Sequence, residues 1–143
     1  MKNQHTATLA GYEIPRLGMG TMALAIEGRP TNRNQAIETI HAALDAGVRY
    51  LDTAWSYYLP SKPGTGEPED MGYGEYLVRD ALNSWHGPKD EVLVATKTGW
   101  LRTLDNHGNY SWQADARPET MIANAKESAR RLGVDTLDLL YSH

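Results

Sequence analysis

Apolar positions along this chain fall into two alternating patterns. Short strand-like runs are separated by longer segments in which apolar residues recur at intervals of three and four. The runs are Leu17-Gly18-Met19-Gly20-Thr21, Val48 to Ala54, Val92 to Lys97 and Leu137 to His143. Between them, three segments predict helices with one apolar face each. The first spans Asn32 to Ala46, with Ile37, Ile40 and Leu44 on its apolar face. Thr31 or Asn32 can cap its start, and Gly47 suits its end. The second spans Glu75 to Asn83 and carries Leu77, Val78, Ala81 and Leu82. The third spans Pro118 to Leu132, with Pro118 at its first turn and Ile122, Ala125, Ala129 and Leu132 as the expected buried stripe. Arg130 and Arg131 lie near its C-terminal end, and Gly133 stops it. Thr6 to Arg16 alternates weakly about Ala10-Gly11 and predicts a short hairpin ahead of the first run.

This order, strand then helix three times and then a fourth strand, predicts an α/β fold with a parallel sheet. The run from Val92 is apolar until Lys97, as suits a strand covered on both faces. Two long connections interrupt the pattern, 58–74 and 99–116. The first is rich in Pro and Gly, and connections of that length in compact domains often form lids or binding loops. The second has a turn at Asp105-Asn106-His107-Gly108-Asn109, which reads as the tip of a hairpin.

Composition narrows the function classes. Fourteen Lys and Arg face 18 Asp and Glu, with no basic stripe, so nucleic acid is not an expected partner. No cysteine is present, which excludes disulfides, thiolate catalysis and cysteine-based zinc sites. His5, His41, His86 and His107 have no metal-ligand spacing and read as surface residues, so no metal is expected. No run approaches a membrane span and the first six residues carry no signal-peptide core, so the expectation is a cytoplasmic protein without a membrane partner.

Chemistry concentrates at the ends of the strand-like runs. Asp52, Lys97 and His143 lie 45 and 46 positions apart, one strand–helix unit per gap. Side chains alternate along a strand, so Tyr50 and Asp52 share a face, as do Leu93, Ala95 and Lys97, and Leu139, Tyr141 and His143. If the strands are neighbours in a barrel, the three ionisable residues meet at its C-terminal end, where such barrels build their active sites. Tyr57 follows Asp52 by five positions, with Tyr58 as a competing phenol. An ammonium beside a phenol favours the phenolate, and a phenol so placed can give a proton to a carbonyl oxygen. A neutral histidine can orient that carbonyl. The set suits carbonyl reduction with Tyr57 as proton donor, and since no side chain supplies hydride, a nicotinamide cofactor is implied.

These residues sit in stretches that resemble the aldo-keto reductases: Arg16 to Thr21, Ala46 to Ala54 with Tyr57, Ala95-Thr96-Lys97, and Ser128 to Asp135 leading into Leu137 to His143. The resemblance runs from about Ile14 to the end. It implies an NADP(H)-dependent oxidoreductase on a parallel (β/α)8 TIM barrel, with NAD(H) not excluded, acting on a small-molecule carbonyl or alcohol substrate. By motif position Asp52, Tyr57, Lys97 and His143 would be catalytic. Gly20, Thr21 and Met22 would approach the nicotinamide side of the cofactor, with Asp52 near its ribose.

The chain departs from the family in two ways. Gly74-Glu75 stands where the family has Ser-Glu, after a longer connection. The later family strands, which carry the nicotinamide amide contacts, the stacking aromatic and the 2′-phosphate-binding basic residues, have no counterpart in these 143 residues. A complete barrel needs about 250 residues. The expectation is therefore one incomplete domain over 1–143, the N-terminal half of the barrel, ending after its fourth strand. Little activity is expected of it alone, and its two edge strands favour self-association. A fragment without activity and a cofactor-binding regulatory subunit are the competing readings. Trp100 and Trp112 could line a substrate pocket or simply pack the loop.

Overall fold

A computed structural model describes residues 6–59 and 70–143 of the chain. Most of the predicted 58–74 connection, and His5, lie outside the described residues.

A β-hairpin, β1 (Thr6–Leu9) and β2 (Tyr12–Pro15), opens the chain as the sequence predicts. Four strands then form one parallel sheet: β3 (Met19–Gly20), β4 (Tyr50–Asp52), β5 (Leu93–Thr98) and β8 (Leu139–Ser142). Their spatial order, β3-β4-β5-β8, follows the chain, and each pair is parallel. Helices α1 (Arg33–Asp45), α2 (Tyr73–Ser84) and α3 (Pro118–Leu132) connect successive strands. A doubly wound sheet reverses its strand order and carries helices on both faces. Here the order never reverses and the helix core packs on one face, so the assembly is a partial (β/α) barrel.

That core explains the strand sequences. Leu51, Val92 and Val94 point outward and meet Ile40 and Leu44 of α1, Leu77, Val78 and Ala81 of α2, and Leu132 of α3. The other strand face carries Tyr50 and Asp52, in register with Leu93 and Ala95. Ala95 and Lys97 in turn pair with Leu139 and Tyr141. The face assignment read from period two therefore holds. Asn32 caps α1, its side-chain oxygen accepting from the Asn34 amide at 3.0 Å. Gly47 (φ 101°) and Gly133 (φ 73°) take the left-handed conformation that ends α1 and α3. The N-terminal hairpin sits at the opposite end of the sheet from Asp52, Lys97 and His143: the Tyr12 hydroxyl donates to Asp138 at 3.0 Å, and Asp138 accepts the Val94 amide at 3.1 Å.

Four expectations are corrected or refined. Helix α2 starts two residues earlier than Glu75, at Tyr73. The 99–116 connection is largely a second hairpin, β6 (Trp100–Leu104) and β7 (Tyr110–Ala114), with the Asp105–Asn109 turn at its tip. The stripe on α3 is not the apolar one: Ile122 is 56% exposed, while Asn124, Ser128 and Arg131 are buried beside Leu132. Arg131 is on that face because it pairs with the buried carboxylate of Glu75 on α2, a contact that apolar periodicity does not register. His41, expected at the surface, is half-buried and bonds the Ala81 carbonyl at 2.8 Å, tying α1 to α2.

Candidate active site

The C-terminal ends of β4, β5 and β8 converge. Asp52 is the last residue of β4, Lys97 the penultimate residue of β5, and His143 follows β8 directly. The His143 amide donates to the Thr98 carbonyl at 2.7 Å, which continues the β5–β8 ladder to the final residue. Tyr57 comes from the turn after β4. That turn is fixed by backbone bonds: Thr53 N–H to Ala95 O at 2.9 Å, Trp55 N–H to Lys97 O at 3.0 Å, and Tyr57 N–H to Ala54 O at 3.1 Å.

Lys97 organises the group. Its ammonium has three protons and three acceptors: Asp52 Oδ2 at 2.7 Å, the Thr53 carbonyl at 2.7 Å and the Tyr57 hydroxyl at 3.2 Å. With the Tyr57 oxygen accepting from Lys97, the phenolic proton is left to point elsewhere. The cavity beside it, about 300 Å³, is lined by Met22, Tyr57, Trp100, Trp112 and His143. The Tyr57 and His143 rings meet edge to face, 6.0 Å between centroids. Desolvation and the Lys97 charge push the His143 imidazole below its ordinary range, with Asp52 opposing, so the ring favours its neutral form. Tyr58, the competing phenol, is buried away from this cluster. Its ring packs on Trp55 at 5.7 Å, and burial holds its hydroxyl above the usual tyrosine range.

A second, open cavity of about 550 Å³ lies on the inner side of the sheet, lined by Gly18, Met19, Gly20, Tyr50, Asp52, Lys97, Tyr141 and Ser142. Burial first, then Tyr141 and Asp52, hold the Tyr50 phenol well above the usual tyrosine range. The three residues expected to approach a cofactor differ in what they offer. Gly20 faces open space, with nothing within 4 Å of where a Cβ would stand. Met22 is 45% exposed and lines the cavity at Tyr57. Thr21 is fully buried, and both its amide (2.9 Å) and its hydroxyl (3.1 Å) are committed to the Asp52 carbonyl. It places Asp52.

The β6–β7 hairpin closes one side of the site. Trp100 and Trp112 pack edge to face at 6.5 Å. Sequence reading missed what anchors them. Arg102 is buried, lies 4.1 Å from the Trp112 ring centroid, forms an ion pair with Glu27 and donates to the Tyr58 carbonyl at 3.4 Å. The available signal was its place two residues after Trp100 in a strand-like run, and the hairpin register sets it opposite Trp112. Among the described residues no cluster of His, Asp and Glu is arranged to hold a metal, and no helix is long and apolar enough to cross a membrane.

A partial parallel β/α barrel with Asp, Tyr, Lys and His gathered at its strand ends defines the class. Residues 16–143 match the aldo/keto reductase family, and the chain belongs to that family. It is similar to the D-threo-aldose 1-dehydrogenase of a Pseudomonas species, 34% identical over 96% of this chain and 42% of the relative. It is also similar to the aldo-keto reductase YhdN of Bacillus subtilis, 33% identical over 93% of this chain and 35% of that protein. Among solved structures, the glycerol dehydrogenase of Gluconobacter oxydans superposes with a TM-score of 0.71 at 27% identity, covering 96% of this chain and 38% of that one. The holo form of an aldo-keto reductase from Bacillus halodurans superposes with a TM-score of 0.68 at 26% identity, covering 96% and 39%. The chain thus spans less than half the length of these relatives.

Proposed function

We propose that this chain carries the proton-transfer site of a nicotinamide-dependent carbonyl reductase, with Tyr57 as proton donor. The observation that carries this reading is the Lys97 ammonium, shared between the Tyr57 oxygen at 3.2 Å and Asp52 at 2.7 Å. As a carbonyl oxygen in the 300 Å³ cavity gains negative charge, it takes the proton from the Tyr57 oxygen. The adjacent Lys97 cation stabilises the charge left on that oxygen. Asp52 holds the ammonium in place and offsets its burial. His143, in its neutral form, hydrogen-bonds the carbonyl and fixes its direction.

The donor set suits a nicotinamide cofactor, NADP(H) in our reading with NAD(H) as the alternative. Gly20 leaves the backbone open to a close neighbour, the inner cavity adjoins Asp52 and Lys97, and Asp52 offers an acceptor to a ribose hydroxyl. Such a cofactor supplies the hydride that no side chain here can. The relatives named for aldose and glycerol dehydrogenation support a small carbonyl or alcohol as substrate.

We place residues 1–143 as one incomplete barrel domain. Among the described residues, β3 and β8 each pair on one side only. Closure needs further strands, from more chain or from another copy. Turnover of an aldehyde and aldose panel tests the reading. Tyr57→Phe lowers kcat by about 10²–10⁴-fold, the usual worth of a positioned general acid. Full activity in that variant assigns the proton transfer elsewhere.

A further inference from the structure

Behind the site, on the helix side of the sheet, lies a buried ion pair that the proposed chemistry does not use. Glu75 of α2 is fully buried and Arg131 of α3 is 3% exposed. Arg131 Nη1 donates to Glu75 Oε2 at 3.2 Å and to the Trp55 carbonyl at 3.1 Å, and its Nε donates to Glu127 at 3.2 Å. Its guanidinium also lies 5.0 Å from the centroid of the Trp55 ring. The other oxygen of Glu75 accepts the Thr96 hydroxyl at 2.6 Å. Burial pushes the Glu75 carboxyl up, opposed by Ser128, Thr96 and Arg131. Apolar residues of similar volume often stabilise a core as well as or better than a buried ion pair, so stability is a weak reason for keeping one.

What the pair touches suggests another reason. Trp55 lies two residues before Tyr57, and Thr96 immediately precedes Lys97. Gly74, next to Glu75, donates its amide to the Tyr57 carbonyl at 2.8 Å. A Cβ at Gly74 would stand 2.8 Å from Tyr57 Cβ and 2.9 Å from its carbonyl, so α2 is seated directly against the backbone of Tyr57. Room for Arg131 is itself built in: a Cβ at Gly72 would stand 2.4 Å from Arg131 Cδ. The arginine fork therefore bridges the Tyr57-bearing turn to the α2 carboxylate that holds the strand of Lys97.

We infer that Arg131 and Glu75 are positioning residues, which set the separation of the Tyr57 hydroxyl and the Lys97 ammonium by clamping the turn after β4 to the end of β5. The inference rests on the proposed role of Tyr57, and its test is read without turnover, so the two can fail separately. Removing one partner alone leaves a buried charge, which confounds positioning with folding. The deciding variant is therefore the uncharged pair Glu75→Gln with Arg131→Met. Its new side-chain amide is still able to accept from Thr96, while the Trp55 carbonyl loses its guanidinium.

Hydrogen exchange is measured at the Trp55 and Tyr57 amides and, as a global reference, at Ile40 and Leu44 of α1. The Cζ resonance of Tyr57, assigned by its loss in Tyr57→Phe, reports the phenol. The expected result is exchange at Trp55 and Tyr57 at least tenfold faster relative to α1, with a shifted Tyr57 resonance. Arg131→Lys should give a smaller change of the same kind, since an ammonium replaces the fork by a point charge. Exchange that rises in step with α1, or an unmoved Tyr57 resonance, overturns the inference and leaves the pair a packing element. If the double variant does not fold, Arg131→Lys is read by the same two criteria.

Discussion

Replacing Lys97 with Met tests the central contact directly. The Lys97 ammonium stands 3.2 Å from the Tyr57 oxygen, and its side chain is 15% exposed. At that separation a unit charge pair is worth about 5 kcal/mol at an effective dielectric of about 20, and about 1 kcal/mol in bulk water. A group exposed this little lies nearer the first limit. Each 1.4 kcal/mol is about tenfold in rate, so Lys97→Met should lower kcat by about 10²–10³-fold. Tyr57→Phe should lower it by about 10²–10⁴-fold. If the lysine acts by stabilising charge on the phenolic oxygen, the double variant falls no further than Tyr57→Phe, because the charge it would stabilise no longer forms. The assay is cofactor oxidation with an aromatic aldehyde, in the shortest form of the protein that turns over. Melting curves serve as the control. Losing Lys97 leaves Asp52, 26% exposed, without its cation, at a cost of about 1–3 kcal/mol. Losses that multiply in the double variant would refute a shared role, as would a Lys97→Met enzyme with its rate intact.

Gly74→Ala should destabilise the fold by about 1–3 kcal/mol, seen in the melting temperature, because the new methyl meets Tyr57 backbone at 2.9 Å and Ala25 Cβ at 3.2 Å. An unchanged or raised melting temperature would show that the turn can yield. For His143 the folded pKa lies below its ordinary 6.5. The unfolded chain therefore takes up the proton more readily, and this residue removes stability as pH falls from about 6.5 toward the folded value. An imidazole titration by NMR with its midpoint below 6.5 is expected, and a midpoint at or above 6.5 would contradict it. Trp112→Ala should raise KM for ring-bearing substrates more than for glyceraldehyde, since it removes one wall of the 300 Å³ cavity. Equal effects on both would place the hairpin outside the substrate path. Titration with NADPH should show weaker binding by 1–143 than by a chain continued to the relatives' length, and equal affinity would mean that the cofactor site is already whole.

The sequence made the site legible and the support behind it illegible, for one physical reason. Asp52, Lys97 and His143 announce themselves as a set because strand register is periodic: each alone suits a strand end, but three of them end apolar runs one strand–helix unit apart. Period two therefore placed all three on one face, and Tyr57 followed from its spacing to Asp52. The bounds of α1 and α3 were read equally well from their caps and periodicity. The stripe of α3 was not, because apolarity was the only signal counted. Asn124, Ser128 and Arg131 recur at four and three, a helical face as regular as any apolar one. Glu75 was also visible, but only as a family position. Burial of either residue makes sense only once the other is in place, and a pairing across 56 positions cannot be read from either helix alone.

That asymmetry bears on how the fold holds its chemistry. The proposed catalytic quartet comes from three strand ends and one turn, and backbone bonds fix the strands to one another through the sheet. The turn has no ladder partner at Tyr57 beyond Ala54 and Gly74. Its position depends on side chains from outside the parallel sheet. Arg102 reaches it from one side through the Tyr58 carbonyl, and Arg131 from the other through that of Trp55. Two buried guanidiniums on backbone carbonyls either side of a single tyrosine are costly in desolvation, and each is offset by its own carboxylate, Glu27 and Glu75. A turn free to move by about an ångström would separate the Tyr57 oxygen from Lys97 and lose much of the charge stabilisation that their 3.2 Å contact provides. On the proposed role of Tyr57, Arg131 on the buried face of α3 gives this turn a hydrogen-bonded anchor that an apolar side chain at the same position would not.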